Sequence, residues 1–194
     1  MQNSVAISRH PAGHVLGSAQ VRLEHRGEVW VASGDYKLEA DSTCAAFEPV
    51  PCHTFIREST FGLPVYRWRP QSEIFVDIAA WWRRNAAEQR ASVLFCYALG
   101  KAQRVISLLR ESGYDAPIYL HGAMIRLCEL YEQRGIALGD LRHSLAASKS
   151  EMAGQIVIAP PSAIKDRWSR RLPDPGRAVA AGGRPAEPAR SHRH

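Results

Sequence analysis

The chain has 194 residues, of which 45% are hydrophobic and 23% are charged. It is long enough for one ordinary domain or two small ones, and its apolar content excludes disorder throughout. No apolar run approaches the roughly 20 residues that span a bilayer, and the N-terminus lacks a basic segment followed by an apolar stretch. These features predict a cytoplasmic protein without membrane contacts.

Cysteine usage excludes two further classes. The four cysteines are far apart and contain no Cys-x-x-Cys pair, which argues against a disulfide framework and against a thiolate zinc knuckle. We expect reduced thiols, most of them buried, at Cys44, Cys52, Cys96 and Cys128.

The first third of the chain predicts short strands joined by tight turns. Apolar residues alternate with polar ones along residues 19–23, which is the period of a strand with one buried face. Arg26-Gly27 predicts a hairpin turn between this strand and the next. The other predicted strands are residues 5–7, 29–32 and 54–56.

The period becomes helical from Ser72 onward. Ser72 is predicted as the N-cap of a helix that reaches about Gln89. Apolar strands and amphipathic helices then alternate, which predicts a parallel sheet covered by helices. The stripe of the first helix is Ile74, Ile78, Trp81 and Trp82, and the later apolar segments are 93–97, 102–109, 118–120, 124–131 and 156–158.

This change of period indicates an α/β protein with a boundary near residues 61–70. We place a first domain at residues 1–62, a second at 63–173 and a tail at 174–194. The tail has Val179 as its single aliphatic residue beyond alanine, so it cannot offset its conformational entropy and is predicted to be disordered.

The positive charge is concentrated near the C-terminus. The net charge is +6, and residues 165–194 hold eight Lys or Arg against three Asp or Glu, a net +5. We favour a solvated tail without a function of its own, although such a tail also attracts polyanions without sequence specificity.

His14 and Asp35 are the candidate metal ligands. Each lies on a loop beside a strand of the same predicted hairpin, and such loops commonly carry catalytic groups. Imidazole and carboxylate groups suit a borderline divalent ion such as zinc. A lone loop histidine is also typical of a surface or capping residue, so spacing alone leaves both interpretations open.

Three ordered motifs contain or follow these residues: 10–20 (HPAGHVLGSAQ), 33–36 (SGDY) and 58–62 (ESTFG). In order and spacing they resemble the third and fourth metal motifs and the first insert motif of metallo-β-lactamase-fold nucleases with a β-CASP domain. That family includes ribonuclease J, Artemis and the pre-mRNA 3′-end-processing endonuclease. Segments 94–103, 61–64 and 66–68 look most like its bacterial ligase-associated DNA exonucleases. The resemblance extends from residue 5 to about 172.

The resemblance implies a partial metallo-β-lactamase αββα sandwich followed by a partial β-CASP domain. It implies that His14 is a ligand of one zinc, that Asp35 bridges two zinc ions, and that Glu58 is an acidic catalytic residue supporting the site. In that mechanism the two metals lower the pKa of a shared water, and the resulting hydroxide attacks a phosphodiester.

The family's main metal cluster, His-x-His-x-Asp-His, and its returning histidine motif do not occur in these 194 residues. We therefore expect a fragment truncated at both ends, inactive on its own and unable to hold two zinc ions stably. For the same reason the apolar side chains of the hairpin are expected to form an exposed surface. These are Val21, Leu23, Val29 and Val31.

The preferred function is that of a fragment of a zinc-dependent DNA exonuclease that trims DNA ends in repair beside an ATP-dependent ligase. The alternatives are an RNA-processing nuclease of the same superfamily and a non-catalytic truncated product that binds nucleic acid weakly. The expected partner is nucleic acid, with DNA ahead of RNA.

Direct contacts with nucleic acid are predicted more weakly. Residues 95–102 do not fit a P-loop, but Lys101, Gln103 and Arg104 could meet phosphates at a helix N-terminus. A solvated helix start is equally compatible with these residues. Trp30, Trp81 and Trp82 could stack on bases, but their apolar periodicity favours packing in the core.

Overall fold

The computed structural model describes residues 4–59, 70–165, 167–173 and 179–180. The chain divides into two compact units, Met1–Trp68 and Arg69–His194, and each is described separately. Residues 60–69, where the sequence places the boundary and part of the resemblance, lie outside the described residues.

Unit 1 contains a four-stranded sheet in the order β1-β2-β3-β4. β1, β2 and β3 form an antiparallel meander, whereas β4 runs parallel to β3. The predicted hairpin turn is confirmed, because Arg26 and Gly27 have φ of 53° and 85° and join the paired residues His25 and Glu28. The strands are β1 (Ala6–Pro11), β2 (Ala19–His25), β3 (Glu28–Ser33) and β4 (Thr54–Arg57).

One face of this sheet is covered by other residues of unit 1 and the other face is exposed. Leu23 pairs with Trp30 and Arg22 with Val31, so Leu23 lies on the opposite face from Val31. Val29 and Val31 are buried on a face where Tyr36 meets Phe55 with ring centroids 5.8 Å apart. The prediction that all four hairpin residues are exposed is therefore wrong for Val29 and Val31, because the segment after β3 covers their face.

The uncovered face of unit 1 carries a set of exposed apolar side chains. Leu23 and Val21 are only partly buried there. The predicted core position of Trp30 is wrong, because this face has no second layer among the described residues of unit 1. The exposed members of the face are Val5, Ile7, Trp30 and Ile56.

Unit 2 contains a parallel sheet in the order β7-β6-β8-β5-β9, which confirms the predicted parallel pairing. The strands are β5 (Ser92–Phe95), β6 (Ile118–Leu120), β7 (Leu141–His143), β8 (Ile156–Ala159) and β9 (Val179–Ala180). The helices are α1 (Gln71–Ala87), α2 (Lys101–Glu111), α3 (Gly122–Gln133) and α4 (Lys149–Met152), with 3-10 turns at Pro161–Lys165 and Arg167–Arg171. The chain as described is therefore a mixed α/β protein.

The core of unit 2 surrounds its three central strands. Every residue of β5, β6 and β8 is buried. Helices contribute further buried side chains, among them Ile106 of α2 and Tyr131 of α3. This is the arrangement expected for a parallel sheet covered on both faces.

A single arginine ties the loops at the amino end of this sheet together. The Arg110 guanidinium donates four hydrogen bonds to backbone carbonyls, at distances of 2.7 to 3.0 Å. Because each bond satisfies a loop carbonyl, the side chain fixes several loop ends at once. The acceptors are the carbonyl oxygens of Leu138, Tyr114, Ala116 and Asp140.

α1 starts earlier than the sequence predicts. Its N-cap is Pro70, whose carbonyl oxygen accepts from the N–H groups of Glu73 and Ile74, so the prediction of Ser72 as N-cap is wrong. Pro70 has a fixed φ of −51° and an extended ψ of 138°, which suits a helix entry. Trp81 and Trp82, predicted to pack in the core, are only partly buried; the Trp82 indole nitrogen donates to the Gly154 carbonyl and its ring meets the Tyr114 ring edge-on. At 17 residues α1 is the longest helix described, and none of the described helices has the length and apolar character needed to cross a membrane.

The predicted disorder of residues 174–194 is wrong at two positions. Val179 and Ala180 form β9, which pairs in parallel with Leu94 and Phe95. The open edge of β5 offers backbone N–H and C=O groups to an added strand, and the tail supplies one. The rest of this tail lies outside the described residues.

Candidate functional site

The three residues singled out by the motifs follow strands that run in one direction. β1 and β3 both pair antiparallel with β2, and β4 runs parallel to β3. The carboxyl ends of β1, β3 and β4 therefore lie at the same edge of the sheet. His14 follows β1, Asp35 follows β3 and Glu58 follows β4, so all three stand at this edge.

The loop after β1 requires glycine at position 13. Gly13 has a φ of 72°, and a Cβ there would lie 2.4 Å from the Lys37 carbonyl oxygen and 2.8 Å from the Phe47 amide nitrogen. The Lys37 N–H in turn donates to the Ala12 carbonyl at 3.1 Å. The backbones after β1 and β3 thus approach as closely as two backbones can, because residue 13 has no side chain.

Ser18 fixes the conformation of the loop that carries His14. Its hydroxyl accepts hydrogen bonds from the backbone N–H groups of His14 and Val15, at 3.1 and 3.2 Å. The backbone of Ser18 closes the same loop, since its carbonyl accepts from Ala12 and its N–H donates to Val15. His14 is therefore presented from a loop in which the N–H groups of Ala12, His14, Val15 and Ser18 are all hydrogen-bonded.

The structure brings His14 and Asp35 together. The Nε2 atom of His14 lies 3.4 Å from the Oδ2 atom of Asp35, and both side chains are partly exposed. Two donors at this separation can contact one ion, since zinc takes nitrogen and oxygen ligands at about 2.0 to 2.2 Å. Imidazole and carboxylate are also the donor types that zinc prefers.

The donor set is incomplete among the described residues. In residues 4–59, 70–165, 167–173 and 179–180, no three His, Cys, Asp or Glu side chains are grouped so that they could hold a metal ion. Glu58 is exposed at the end of β4 and does not complete such a group with His14 and Asp35. Two protein donors are fewer than the three that a catalytic zinc takes, so these residues by themselves do not form the metal centre.

A second hydrogen-bonded group of side chains in unit 1 was not predicted from the sequence. His10 contacts the hydroxyl of Ser8 at 2.9 Å through Nε2 and the carboxylate of Glu48 at 2.8 Å through Nδ1. The buried Gln20 amide holds the same region, because its nitrogen donates to the carbonyls of Pro11 and Glu48. Ser8 and His10 are two residues apart on β1, so strand periodicity could have placed them on one face.

The predicted phosphate contacts at the start of α2 are only partly accessible. Gln103 is fully buried, and its amide nitrogen donates to the Ala98 carbonyl and to the Sγ of Cys128. This placement does not support the predicted contact of Gln103 with phosphate. Lys101 and Arg104 are partly exposed, and burial of the Lys101 ammonium lowers its pKa. Helical spacing could have found the burial of Gln103, which lies three residues before the buried Ile106.

Comparison with known proteins gives relatives of two kinds. A protein named "Probable DNA ligase" from Opitutus terrae is 35% identical over 178 residues, which cover 91% of this chain and 17% of that protein. "Endoribonuclease ysh-1" from Neurospora crassa is 30% identical over 169 residues, with 78% of this chain and 19% of the relative covered. "Cleavage and polyadenylation specificity factor subunit 3-I" from Arabidopsis thaliana is 26% identical over 203 residues, with 89% and 28% covered. No protein-family model matches the chain.

The chain spans less than a third of the length of each of these three relatives. The matches nevertheless cover most of this chain, from 78% to 91%. The three relatives are named as a probable DNA ligase, an endoribonuclease and a cleavage and polyadenylation factor subunit. These names are consistent with the resemblance to metallo-β-lactamase-fold nucleases with a β-CASP domain.

Proposed function

We propose that this chain is part of a metal-dependent nuclease of the metallo-β-lactamase and β-CASP superfamily, and that the whole enzyme hydrolyses phosphodiester bonds at DNA ends. The observation that carries the proposal is the approach of His14 to Asp35, 3.4 Å apart at the carboxyl edge of the unit 1 sheet. Residues 1–62 then belong to the metallo-β-lactamase sandwich and residues 63–173 to the β-CASP domain.

In this enzyme His14 and Asp35 would supply two zinc ligands, and further ligands would come from outside the described residues. Asp35 would suit a site with two cations, because a carboxylate has two oxygens and offsets part of their repulsion. Glu58, at the same edge, would orient a ligand or a water from outside the metal shell. The backbone of the Gly13 loop provides the fixed geometry that such a site requires.

DNA is the substrate we place first. The support is the 35% identity, over 91% of this chain, to the relative named "Probable DNA ligase". The proposal includes a cytoplasmic enzyme that works beside an ATP-dependent ligase. An RNA-processing nuclease is the second candidate, because the Neurospora crassa relative named as an endoribonuclease is 30% identical over 78% of this chain. A non-catalytic product that binds nucleic acid weakly is the third.

The test places this chain in a longer protein that also carries a His-x-His-x-Asp-His segment and the returning histidine motif. We expect two zinc ions per monomer and degradation of single-stranded DNA faster than of RNA of the same length. Asp35→Ala should remove nearly all activity and His14→Ala should weaken zinc binding strongly. Glu39→Ala is the matched control, because this exposed carboxylate follows the same strand.

Zinc content and rate are measured together for each variant. An Asp35→Ala enzyme that keeps both zinc ions and its full rate would remove Asp35 from the site and defeat the proposal. Faster degradation of RNA than of DNA, again lost in Asp35→Ala, would replace DNA by RNA as the substrate.

The 194-residue chain alone is expected to show no turnover of DNA with added zinc or manganese, because two donors do not hold a catalytic metal. Fluorescently labelled single-stranded and duplex DNA provide the assay. Turnover that survives Asp35→Ala would identify a contaminating nuclease, whereas turnover abolished by that change would contradict this expectation.

A further inference from the structure

Ser8, His10 and Glu48 of unit 1 are connected in the order of a nucleophile, a base and an acid. The Oγ atom of Ser8 lies 2.9 Å from Nε2 of His10, and Nδ1 of the same ring lies 2.8 Å from Oε1 of Glu48. In serine hydrolases the base contacts the nucleophile through one ring nitrogen and the orienting carboxylate through the other. Such a site is recognised by these contacts and not by sequence spacing, so the three side chains meet its geometric criterion.

The Glu48 carboxylate determines which ring nitrogen of His10 carries the proton. A carboxylate accepts hydrogen bonds and does not donate them, so the 2.8 Å contact places the N–H on Nδ1. Nε2 of the neutral ring then has a lone pair and accepts from the Ser8 hydroxyl. The ring is therefore oriented to take a proton from Ser8, which is the task of a general base.

Backbone contacts hold Glu48 in place beside His10. The Glu48 N–H donates to the Pro11 carbonyl at 3.1 Å, and the Glu48 carbonyl accepts from the Gln20 amide at 2.7 Å. Gln20 is 1% exposed, and its amide also donates to the Pro11 carbonyl. The segment that carries the carboxylate is thus fixed against the strand that carries the imidazole, which is the support that a catalytic group requires.

The pairing of β1 provides a hydrogen-bond donor beside Ser8. Hydrogen-bonded pairs alternate along an antiparallel ladder. The Ala12 N–H donates to the Ser18 carbonyl at 3.0 Å, and the alternation makes Ser8 and Arg22 a hydrogen-bonded pair as well. The N–H of Arg9 consequently points away from β2, toward the side of β1 that has no further strand among the described residues of unit 1. In serine hydrolases the N–H of the residue after the nucleophile stabilises the oxyanion.

The three side chains can be reached from solvent. Ser8 is exposed, the side chain of His10 is 22% exposed and that of Glu48 is 51% exposed. An ester can therefore approach the Ser8 oxygen without a change of conformation. An exposed surface makes few contacts with the rest of a substrate, so the site suits small esters with a good leaving group.

We propose that Ser8, His10 and Glu48, here called the Ser8 triad, hydrolyse small carboxylic esters through an acyl-serine. Ser8 Oγ attacks the carbonyl carbon while its proton passes to Nε2 of His10, and Glu48 stabilises the imidazolium. The bond between the carbonyl carbon and the alcohol oxygen breaks, and the alcohol leaves with the proton from Nε2. Water then gives a proton to Nε2 and its oxygen to the acyl carbon, and Nε2 returns the proton to Ser8 as the carboxylic acid leaves.

The first experiment treats the 194-residue chain with a fluorophosphonate, which bonds to activated serine oxygens and releases fluoride. We expect the label on Ser8, located by mass spectrometry of the peptides. Ser8→Ala should lose this label, and His10→Gln should slow labelling about a hundredfold. Ser4→Ala is the matched control and should label at the wild-type rate, because Ser4 is an exposed serine of the same unit whose backbone carbonyl, not its hydroxyl, contacts a histidine.

The second experiment measures hydrolysis of p-nitrophenyl acetate after the thiols have been blocked with N-ethylmaleimide. The wild type should release nitrophenol about tenfold faster than Ser8→Ala and carry an acetyl group on Ser8. A metal chelator is present throughout, because the reaction uses no metal. The result is therefore independent of the proposed nuclease function and of the His14 and Asp35 pair.

Glu48→Gln tests the positioning role of the carboxylate. Nitrogen-15 shifts of the His10 ring should report the proton on Nδ1 in the wild type and a mixture of tautomers in this variant, with labelling slowed at least about tenfold. Circular dichroism verifies that each variant keeps the fold. No label on Ser8 would overturn the inference. Equal labelling rates for wild type, His10→Gln and Glu48→Gln would overturn it too, because an ordinary surface serine behaves in that way.

Discussion

The two sheets of this protein bury their apolar side chains in different ways. In unit 2 every side chain of β5 and β8 is buried, because helices cover both faces of a parallel sheet. In unit 1 the first four residues of β1 are exposed, and Val29 and Val31 alone of the four hairpin residues are buried. Side-chain packing stabilises unit 2, whereas unit 1 relies on close contacts between backbone segments beside one face of its sheet.

This difference teaches that an alternating apolar pattern predicts a strand and not its burial. Leu23 and Val31 both satisfy the pattern, yet the hairpin register sends them to opposite faces. A covering segment then decides which face is buried. The candidate metal ligands belong to the less covered unit.

The largest contrast is expected between two isoleucines truncated to alanine. Ile158 of β8 is 0% exposed and lies between Leu94 and Leu120 on the neighbouring strands, so Ile158→Ala should destabilise unit 2 by about 4 kcal/mol. Ile7 of β1 is 68% exposed, and Ile7→Ala should cost less than about 0.5 kcal/mol. Urea unfolding with hydrogen exchange in each unit measures both. A large cost for Ile7→Ala would show that this face is covered in solution.

The second contrast concerns backbone clearance in unit 1. Gly13→Ala forces a Cβ against the Lys37 carbonyl in addition to a positive φ, and should destabilise unit 1 by about 3 kcal/mol. Gly17→Ala is the matched control: φ is 80° there, but no atom lies within 4 Å of the new Cβ, so only about 1 kcal/mol should be lost. Equal losses for the two variants, measured by thermal unfolding, would show that the close approach to Lys37 contributes nothing.

A third test compares two arginines of unit 2. Arg110→Lys replaces a fork that bonds four carbonyls by a single ammonium, and should cost about 2 kcal/mol. Arg142→Lys alters an exposed pair with Asp140 and should cost less than about 0.5 kcal/mol. The free energy of urea unfolding is the readout. If Arg110→Lys costs no more than Arg142→Lys, the loops it joins are held by other contacts.

The smallest expected effect is a difference in reactivity between the thiols of the two units. Burial raises the pKa of Cys96 to about 12 and that of Cys128 to about 11, whereas Cys44 and Cys52 are half-buried. A chromogenic disulfide at pH 8 should therefore modify Cys44 and Cys52 first and reach the other two only after unfolding. Rapid reaction of all four would contradict the burial of the unit 2 pair.

The same thiols predict how the free energy of unfolding changes with pH. Their folded pKa values exceed the ordinary value of 9.0, so they favour folding below pH 9 and this contribution is lost as pH rises toward 11 or 12. For Cys96 the loss between pH 9 and pH 10 is about 1 kcal/mol. Cys96→Ala should reduce the slope of unfolding free energy against pH in that interval. An unchanged slope would show that Cys96 does not couple to folding.

Long apolar patterns made most of the fold predictable from the sequence. Residues 118–120 were predicted as a strand and form β6 with the same bounds, because a continuous apolar run between turn residues has few alternatives. β7 was not predicted, since it has three residues and one of them is the exposed Arg142. The parallel partner β9 was missed for a similar reason: two residues on a sheet edge leave no periodic pattern.

The candidate site could be predicted only where a motif was available. His14 and Asp35 were named from motifs that resemble a known family, and spacing alone left their roles open. Gln103 was assigned to the surface beside two cations, whereas tertiary packing against Cys128 buries it. The exposure of Tyr97 could not be read from its sequence, because it ends an apolar run that is otherwise buried.

The pairing of β9 determines where the C-terminal segment starts. Ala180 is level with Phe95 in a parallel pair, so the chain leaves the sheet at its carboxyl edge, where Tyr97 stands two residues beyond Phe95. Leu94 and Phe95 thus have backbone partners on both sides, from β8 and from β9, so this stretch of β5 does not template a further strand.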